Sequence, residues 1–300
     1  MHLQASLQAL RTAIPYIRAY KGRVFVVKLS GRLCEPGKTL DNLVDQVALL
    51  HQLGIRLVVV HGGGEQADAL AERLGVPRQS FAGRRITDDA TLEVVKMALA
   101  GTVNTNLVAA LRKAGVSAIG LSGVDSRLVT VSRRPVQEMR DPSTGETRTV
   151  DFGHVGDVVG VDVTVLRNVL DAGHVPVVCS LAADVAGRIF NVNADTVAAE
   201  MAIAIQAAKY FLIATVDGVM RDLSDHSTLQ TYLDLDELGA LIESGAISGG
   251  MLPKLAACSA ALRGGVPRVH IINGLTPDTL LAEVFTNEGC GTLLVAKRAG

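Results

Sequence analysis

Apolar and polar residues follow two patterns that alternate along the first part of this chain. Mostly apolar runs of strand length cover residues 23–29, 56–61 and 175–179, whereas apolar residues in helical spacing occur at 39–53 and 65–74. A strand that is buried on both faces gives such a run, and strands that alternate with helices pair in parallel. The pattern therefore predicts an α/β protein with a parallel central sheet.

The other segments predict further elements. An amphipathic helix at 3–19 contains Pro15, which we expect to kink or split it. The helical pattern at 88–114 is interrupted near Gly101, and 128–160 is typical of a β-hairpin that projects from the body. The later predicted elements are a strand and turn at 116–123, a helix at 163–172, a helix starting within 193–208, a strand at 210–216, a polar loop at 217–233, helices at 234–243 and 250–263, a strand at 268–274, a short helix and a final strand at 291–297.

Composition narrows the class of protein. Lys and Arg number 29 against 30 Asp and Glu, so the net charge of −1 gives no global basic field for nucleic acid. The N-terminus lacks the apolar core of a signal peptide, and no apolar run is long enough to predict a membrane span. The four cysteines are scattered without a CxxC pair. We therefore expect reduced thiols in the cytoplasm, with neither a disulfide framework nor a protein-built metal site.

Three glycine turns carry the candidate chemistry. Gly62–Gly64 follow His61 between a strand and a helix, Lys28 precedes a small-residue turn, and Gly249–Gly250 precede a helix that contains Lys254. Glycines at such turns let backbone N–H groups approach an anion, and the positive helix end adds to the attraction. The spacings match neither GxxxxGK[ST] nor GxGxxG, so neither a P-loop nor a Rossmann site is favoured. Three such turns, two of them with a lysine, favour a site for a triphosphate and its transfer.

Asn191, Asn193 and Asp195 alternate just before a helical segment. From the sequence alone, Asp195 has two interpretations: the N-cap of that helix, or an acidic residue that orients lysines. The second interpretation also needs amide donors for a carboxylate substrate, which the two asparagines can supply.

Taken in order, the motifs resemble those of the amino acid kinase family over nearly the whole chain. They are VVKLSG, VVVHGGGEQ, GRRITD, GLSGVD, DFGHVGDV, FNVNADTVAA, ISGGMLPK and the stretch from GVPRVHIING to GCGTLL. The similarity is greatest to members that phosphorylate N-acetyl-L-glutamate in arginine biosynthesis. The resemblance implies a carbamate kinase-like fold, a three-layer αβα sandwich with a mainly parallel sheet. It also implies an oligomerisation helix at 1–20, an acyl-amino-acid-binding and dimerisation lobe at 21–182, and an ATP-binding lobe at 183–300.

The resemblance implies roles for individual positions. Lys28 and Lys254 would neutralise the phosphoryl group in flight, and Asp195 would orient both lysines. The implied contacts to the acyl amino acid come from Gly63, Gly64, Arg85, Asn191 and Asn193. The implied contacts to phosphate or ATP come from Gly31, Gly62, Thr215, Gly218, Gly249 and Gly250. A carboxylate is already nucleophilic at neutral pH, so no catalytic base is needed, and Mg²⁺ would arrive with ATP.

Assembly and regulation are implied as well. The segment ALRTAIPYIRAYKGR is similar to the extra N-terminal helix of arginine-inhibited members, which links dimers into a hexamer. A homo-oligomer is therefore expected, and L-arginine would bind near Tyr16, Glu283 and Gly289. The same motifs resemble the kinase-like domain of bacterial N-acetylglutamate synthases. Two alternatives stay open: a kinase for another N-blocked acidic amino acid, such as carrier-linked aminoadipate, or a non-catalytic arginine-sensing protein.

Several positions depart from the family's pattern. Ser30 stands within KLSG where KxGG is usual, and Arg32 stands where a small or amide residue is common. The segment 213–219 reads IATVDGV instead of LTDVPGV, Glu65 replaces a proline, and Val124 replaces a lysine. The Thr-Asp pair near the nucleotide is lost, which keeps the non-catalytic alternative open.

Overall fold

The computed structural model describes residues 2–141, 144–222, 225–247, 249–286 and 289–298. The strands are β1 (Val24–Leu29), β2 (Arg56–His61), β3 (Ser80–Phe81), β4 (Arg84–Arg85), β5 (Ala118–Ser122), β6 (Val129–Arg133), β7 (Gln137–Arg140), β8 (Thr147–Val150), β9 (Gly156–Val161), β10 (Val175–Cys179), β11 (Leu181–Ala183), β12 (Ile189–Asn191), β13 (Lys209–Ala214), β14 (Val219–Met220), β15 (Leu229–Gln230), β16 (Tyr232–Asp234), β17 (Val269–Asn273) and β18 (Thr292–Val295). The helices are α1 (His2–Tyr20), α2 (Lys38–Gln52), α3 (Gly64–Arg73), α4 (Asp89–Lys96), α5 (Asn104–Lys113), α6 (Thr164–Asp171), α7 (Ala194–Ala204), α8 (Leu235–Glu243), α9 (Met251–Arg263) and α10 (Thr279–Phe285).

An eight-stranded sheet forms the middle layer, in the order β16-β18-β17-β13-β1-β2-β10-β5. Its neighbouring strands are parallel except β17 and β18, so the predicted mainly parallel sheet is confirmed. β1 lies between β2 and β13, which brings the carboxyl ends of three parallel strands together. Strands from the first part of the chain lie on one side of the β1–β13 junction and those from the last part on the other. The division of the chain near residue 182 stays a prediction.

Both faces of the sheet are buried, because successive strand residues point to opposite sides. In β1, Val26 packs into one core, whereas Phe25 and Val27 pack into the other. Helices α6, α7, α8 and α9 contribute to the first core, and α2, α5 and α10 contribute to the second. The three-layer αβα sandwich is therefore confirmed, and it explains why the central strands appear in the sequence as apolar runs.

The N-terminal helix α1 runs without interruption to Tyr20. The expectation that Pro15 splits it is therefore wrong. A proline inside a helix leaves the carbonyl group four residues earlier without its usual N–H partner. Pro15 and Arg11 are both exposed, so water can satisfy that carbonyl group. At the end of α1, the Tyr20 ring packs edge-on against Phe25, with centroids 5.2 Å apart.

The helical region predicted at 88–114 is present, and so is its interruption near Gly101. Between α4 and α5 the backbone forms a π-helix, Met97–Val103, and such segments are frequent at functional sites. Contrary to the expectation from the sequence, the Asp89–Lys113 helix is long and apolar enough to cross a membrane, by length and composition only. Buried apolar residues such as Leu107 pack it into the core, and this packing accounts for its apolar composition.

The projecting hairpin predicted within 128–160 consists of two antiparallel pairs, β6 with β9 and β7 with β8. β6 also joins β11 and β12 in a four-stranded sheet beside the main one. The segment 217–233 was expected to be a polar loop, but it contains β14, β15 and part of the edge strand β16. Strands of two or three residues are too short to show an alternating pattern, so the sequence did not predict them.

Candidate active site

The three glycine turns meet around one cavity of about 610 Å³, hereafter the central cavity. The first two turns are neighbours because Lys28 of β1 lies in register with Val60 of β2 and with Leu212 of β13. The third turn arrives with α9. The residues predicted from the sequence that line this cavity are Lys28, Gly31, Gly62, Gly63, Gly64, Asn193, Asp195, Thr215, Gly250 and Lys254.

Asp195 joins two lysines inside the central cavity. Lys28 Nζ lies 2.6 Å from Asp195 Oδ1, and Lys254 Nζ lies 3.4 Å from Asp195 Oδ2. Lys28 Nζ also donates to Ser30 Oγ at 3.4 Å. Lys28 and Asp195 are buried, whereas 27% of the Lys254 side chain is exposed. One carboxylate therefore holds two cations at the same point.

The charge state of Asp195 results from two opposing effects. Burial raises the pKa of the carboxyl group, but the ammonium groups of Lys28 and Lys254 outweigh burial and hold the pKa of Asp195 below its usual value. The carboxylate is therefore ionised at neutral pH. Without it, two cations would face each other with no negative charge between them.

Gly31 and the Gly62–Gly64 turn lie against each other. A Cβ atom on Gly31 would lie 3.0 Å from Gly63 Cα and 2.9 Å from Gln66 Oε1. The Gln66 amide donates from Nε2 to the Gly31 carbonyl oxygen at 2.9 Å, which connects α3 to the first turn. Glycine is therefore needed at position 31, because a side chain would push the two turns apart.

A buried network behind the second turn was not predicted. His61 Nδ1 lies 2.7 Å from the Gly62 carbonyl oxygen, and Asn104 Nδ2 lies 3.0 Å from His61 Nε2. Burial is the main reason that the pKa of His61 is lowered to about 4. The neutral imidazole then donates from Nδ1 and accepts at Nε2. Because the Asn104 amide also donates to the Val177 carbonyl oxygen at 2.9 Å, the network ties the glycine turn to β10.

The π-helix supports the same turn through apolar contacts. A Cβ atom on Gly63 would lie 2.9 Å from Leu99 Cδ1 and 3.4 Å from Val103 Cγ2. Both side chains are buried and belong to the π-helical segment, and Asn104 follows it directly. The local change in helix type therefore places both the apolar and the polar support of the turn. In the sequence its only signal is the interruption near Gly101.

Arg85 and Asn191 line a smaller cavity of about 150 Å³, hereafter the acceptor cavity, which shares the Gly62–Gly64 turn with the central cavity. Arg85 Nη2 donates to the Gly64 carbonyl oxygen at 2.8 Å and is paired with Asp68 Oδ1 at 2.5 Å. Burial lowers the pKa of Arg85, but a guanidinium stays cationic at neutral pH. Asn191 Nδ2 donates to Thr87 Oγ1 at 3.4 Å. Asp68 is a further residue of this site that the sequence did not reveal.

Asn193, not Asp195, is the N-cap of α7. Its Oδ1 accepts hydrogen bonds from the Asp195 N–H at 2.7 Å and from the Thr196 N–H at 3.1 Å. The interpretation of Asp195 as a plain helix cap is therefore wrong. Because its backbone is fixed by the cap, the Asp195 side chain is directed to the lysines.

Two glycines predicted to bind phosphate, Gly218 and Gly249, are not among the described residues that line the central cavity. Gly218 is buried in the turn after β13, where a Cβ atom would lie 2.4 Å from Thr292 Oγ1. Gly249 has a φ of +61° and precedes Gly250, which does line the cavity. The structure therefore gives Gly218 a packing role, because Thr292 leaves no space for a side chain.

Tyr16, Glu283 and Gly289 line a separate cavity of about 230 Å³ between α1 and the C-terminal part of the chain, hereafter the effector cavity. Glu283 Oε2 lies 2.7 Å from His270 Nδ1, and Oε1 accepts from two backbone N–H groups at 2.7 and 2.9 Å. Burial acts to raise the pKa of Glu283, but these hydrogen bonds outweigh it and lower the pKa to about 2.

Lys209 supplies a cation to the effector cavity. Its Nζ lies 4.8 Å from the centroid of the Tyr20 ring, and burial lowers the pKa of Lys209 to about 8. The cavity therefore combines an aromatic wall, an ammonium group and a carboxylate. This combination suits an amino acid that carries both charges and a long side chain.

Comparisons with known proteins find relatives over nearly the whole chain. A sequence model described as the amino acid kinase family matches residues 23–273. Acetylglutamate kinase of Myxococcus xanthus is 43% identical over 291 residues, which cover 97% of this chain and 94% of that protein.

Two solved structures show the same fold in a longer protein. N-acetylglutamate synthase from Neisseria gonorrhoeae, complexed with coenzyme A and N-acetyl-glutamate, has a TM-score of 0.83 at 33% identity. The match covers 98% of this chain and 64% of that chain. The same synthase complexed with coenzyme A and L-arginine has a TM-score of 0.80 at 29% identity, covering 97% of this chain and 65% of that chain.

Gly63→Ala tests whether the π-helix supports the glycine turn. The added methyl group would press on Leu99, so we expect the free energy of unfolding to fall by about 1–3 kcal/mol. Leu99→Ala alone should cost about 2–5 kcal/mol. The double variant should lose less than the sum of the single losses, because the clash disappears. Chemical denaturation of the three variants measures this coupling, and strictly additive losses would contradict the contact.

Proposed function

The chain belongs to the amino acid kinase family, and from this premise we propose that it transfers the γ-phosphoryl group of ATP to the side-chain carboxylate of N-acetyl-L-glutamate. The product is N-acetylglutamyl 5-phosphate, an intermediate of arginine biosynthesis. The acetylglutamate kinase that matches nearly the whole chain supports this substrate. The observation that carries the proposal is the cluster of Lys28, Asp195 and Lys254 beside two glycine turns.

The chemistry follows from the position of this cluster. A carboxylate oxygen of the acceptor forms a bond to the γ-phosphorus while the bond to the β,γ-bridging oxygen breaks, and ADP leaves. The acceptor is already ionised, so no proton has to be removed. Lys28, Lys254 and the glycine N–H groups offset the negative charge on the transferred group. Catalysis is therefore mostly positioning and charge stabilisation.

We assign the acceptor to the cavity that contains Arg85 and Asn191. The guanidinium would bind a carboxylate of N-acetylglutamate, and the asparagine amide would donate to the same substrate. Asp68 and the Gly64 carbonyl both contact Nη2 of Arg85, which fixes the plane of the guanidinium. Asn193 acts indirectly, because it caps α7 and so holds the segment that carries Asp195.

ATP is assigned to the rest of the central cavity, on the side of Thr215, Gly250 and Lys254. Among the described residues, no group of three or more His, Cys, Asp or Glu side chains is placed to hold a metal ion. Both oxygens of Asp195 face lysines. In the proposed reaction Mg²⁺ would enter with the nucleotide, held mostly by phosphate oxygens and water.

The two alternative functions, a kinase for a carrier-linked substrate and a non-catalytic arginine sensor, would require different features of the protein. A carrier-linked substrate would favour a basic rim on the hairpin, formed by Arg133, Arg134, Arg140 and Arg148. Of these, Arg133 and Arg134 are paired with Asp151 and Asp157 at 2.8 and 2.6 Å. A non-catalytic arginine sensor would not need the cluster of Lys28, Asp195 and Lys254.

A coupled assay of ADP release separates these possibilities. We expect release with ATP and N-acetyl-L-glutamate, and background release with unacylated L-glutamate. Release with an N-blocked aminoadipate alone would support the carrier-linked alternative. No release with any blocked acid would support the non-catalytic alternative.

We also propose that the enzyme is a cytoplasmic homo-oligomer regulated by L-arginine. Tyr16, Glu283 and Gly289 share the effector cavity, and a synthase with the same fold has been solved with L-arginine. The ligand guanidinium would meet Glu283, and its carboxylate would meet Lys209. Helix α1 forms one wall of this cavity, so a contact of α1 with another subunit would connect ligand binding to assembly. Regulation then requires that arginine binds two arrangements of the oligomer with different affinity.

Lys28→Ala and Lys254→Ala should each lower turnover far more than they raise the KM for either substrate. Their charge matters most when the phosphoryl group lies between donor and acceptor. Loss of about 3–4 kcal/mol of transition-state stabilisation would reduce the rate about 10²–10³-fold. Steady-state kinetics measures the effect. Unchanged turnover in either variant would remove that lysine from the mechanism.

Arg85→Ala should raise the KM for N-acetylglutamate with little change in the KM for ATP. Nη2 of Arg85 is held by Asp68 and the Gly64 carbonyl, which leaves the other guanidinium nitrogens for the substrate. A lysine has a single side-chain nitrogen, so Arg85→Lys should rescue poorly. Arg73→Ala, an exposed arginine at the end of α3, is the matched control and should behave as the wild type. A defect mainly in ATP affinity would reassign Arg85 to the nucleotide subsite.

Deletion of residues 1–20 should reduce the oligomer and abolish arginine inhibition while turnover persists. The helix forms one wall of the effector cavity, and the resemblance assigns it the contact between dimers, so both properties should depend on it. Tyr16→Ala should weaken inhibition and keep the full-length assembly, which separates ligand contact from subunit contact. Mass photometry and arginine titration measure the two properties. A truncated protein with the full mass and full inhibition would refute the role of α1.

A further inference from the structure

Arg32 lines the central cavity, but the mechanism above does not use it. It follows Gly31 in the short 3₁₀-helix Gly31–Cys34, directly after β1. The next two residues, Leu33 and Cys34, are buried, and the Leu33 N–H donates to the Ser30 carbonyl oxygen at 2.9 Å. The segment is therefore anchored in the core, while the exposed Arg32 side chain stands at the edge of the cavity.

Three cations and two carboxylates line this cavity, so positive charge is in excess there. The charged residues that line the cavity are Lys28, Arg32, Glu65, Asp195 and Lys254. Asp195 faces both lysines, whereas Arg32 forms no ion pair or hydrogen bond with any residue that the structure describes. An unpaired guanidinium beside two lysines favours a ligand with several negative charges. A nucleotide polyphosphate has this charge, and its oxygens match the planar fork of arginine.

The lining of the two neighbouring cavities indicates which substrate Arg32 meets. It lies with Thr215 and Lys254 around the central cavity, whereas Arg85 and Asn191 line the acceptor cavity. Arg32 therefore stands on the nucleotide side of the point of transfer.

We propose that Arg32 binds the β- and γ-phosphates of ATP as an additional nucleotide-binding residue. The identity of the nucleotide rests on the proposed function, but the contact itself is tested by binding alone. The guanidinium replaces water around the terminal phosphates and draws the γ-phosphate towards Lys28. Arg32 therefore contributes to the affinity for ATP and not to the affinity for the acceptor.

Isothermal titration calorimetry with ATP and with AMP tests this assignment. Arg32→Gln should weaken ATP binding about tenfold, the size expected for one charge-assisted hydrogen bond, and leave AMP binding unchanged. Arg32→Lys should recover part of the loss, because it keeps the charge without the fork. Arg263→Gln, at the exposed end of α9, is the matched control and should bind ATP as the wild type does.

The outcomes also separate this inference from the proposed function. Equal ATP affinity in the wild type and Arg32→Gln would overturn the role of Arg32, and so would an equal loss for ATP and AMP. A wild type that binds ATP but does not phosphorylate N-acetylglutamate would refute the proposed function, while the comparison of affinities would still decide the role of Arg32. A wild type that binds no ATP would contradict both. In turnover assays, Arg32→Gln should raise the KM for ATP and leave the KM for N-acetylglutamate unchanged.

Discussion

The arrangement of the site depends on one buried carboxylate that holds two lysines. Asp195 pairs with Lys28 from β1 and with Lys254 from α9, so it connects elements from the two ends of the chain. A buried ammonium group is costly unless a negative charge compensates it. The same carboxylate aims both lysines at one point, where the proposed transfer would place the phosphoryl group. The fold brings the three residues together because β1 is the central strand and α7 starts at its carboxyl end.

Buried contacts also hold the backbone of the glycine turns in place. N–H groups stabilise developing charge well only if they are already in place before the reaction. The Gly62–Gly64 turn is held by the His61–Asn104 network on one side and by Leu99 of the π-helix on the other. Each support is buried, so the turn cannot relax towards solvent. A distortion of the helix thus serves the chemistry at a turn far from it in sequence.

The sequence predicted those elements that depend on short-range patterns of apolar residues and glycines. Strands such as β1 and β2 are apolar because both faces are buried, and the glycine turns coincide with close contacts such as that between Gly31 and Gly63. The roles of Lys28 and Lys254 came from the resemblance, and the structure places both beside Asp195. Asp68 and Asn104 could not be predicted, because their partners are distant in sequence and carry no pattern. Helix α1 continues past Pro15 because Pro15 and Arg11 are exposed to water, and the exposure of a residue cannot be read from the sequence.

The central claim is that the acceptor's carboxylate oxygen attacks phosphorus beside the Asp195 cluster. Transfer from ATP to N-acetylglutamate labelled with ¹⁸O in its side-chain carboxylate tests it most directly, with hydroxylamine present to trap the acyl phosphate. Hydroxylamine attacks the acyl carbon, so the bridging oxygen leaves with phosphate. We expect a hydroxamate of N-acetylglutamate and inorganic phosphate that carries one ¹⁸O atom, as mass spectrometry would show. Release of ADP with unlabelled phosphate and no hydroxamate would mean that water is the acceptor, and would contradict the account.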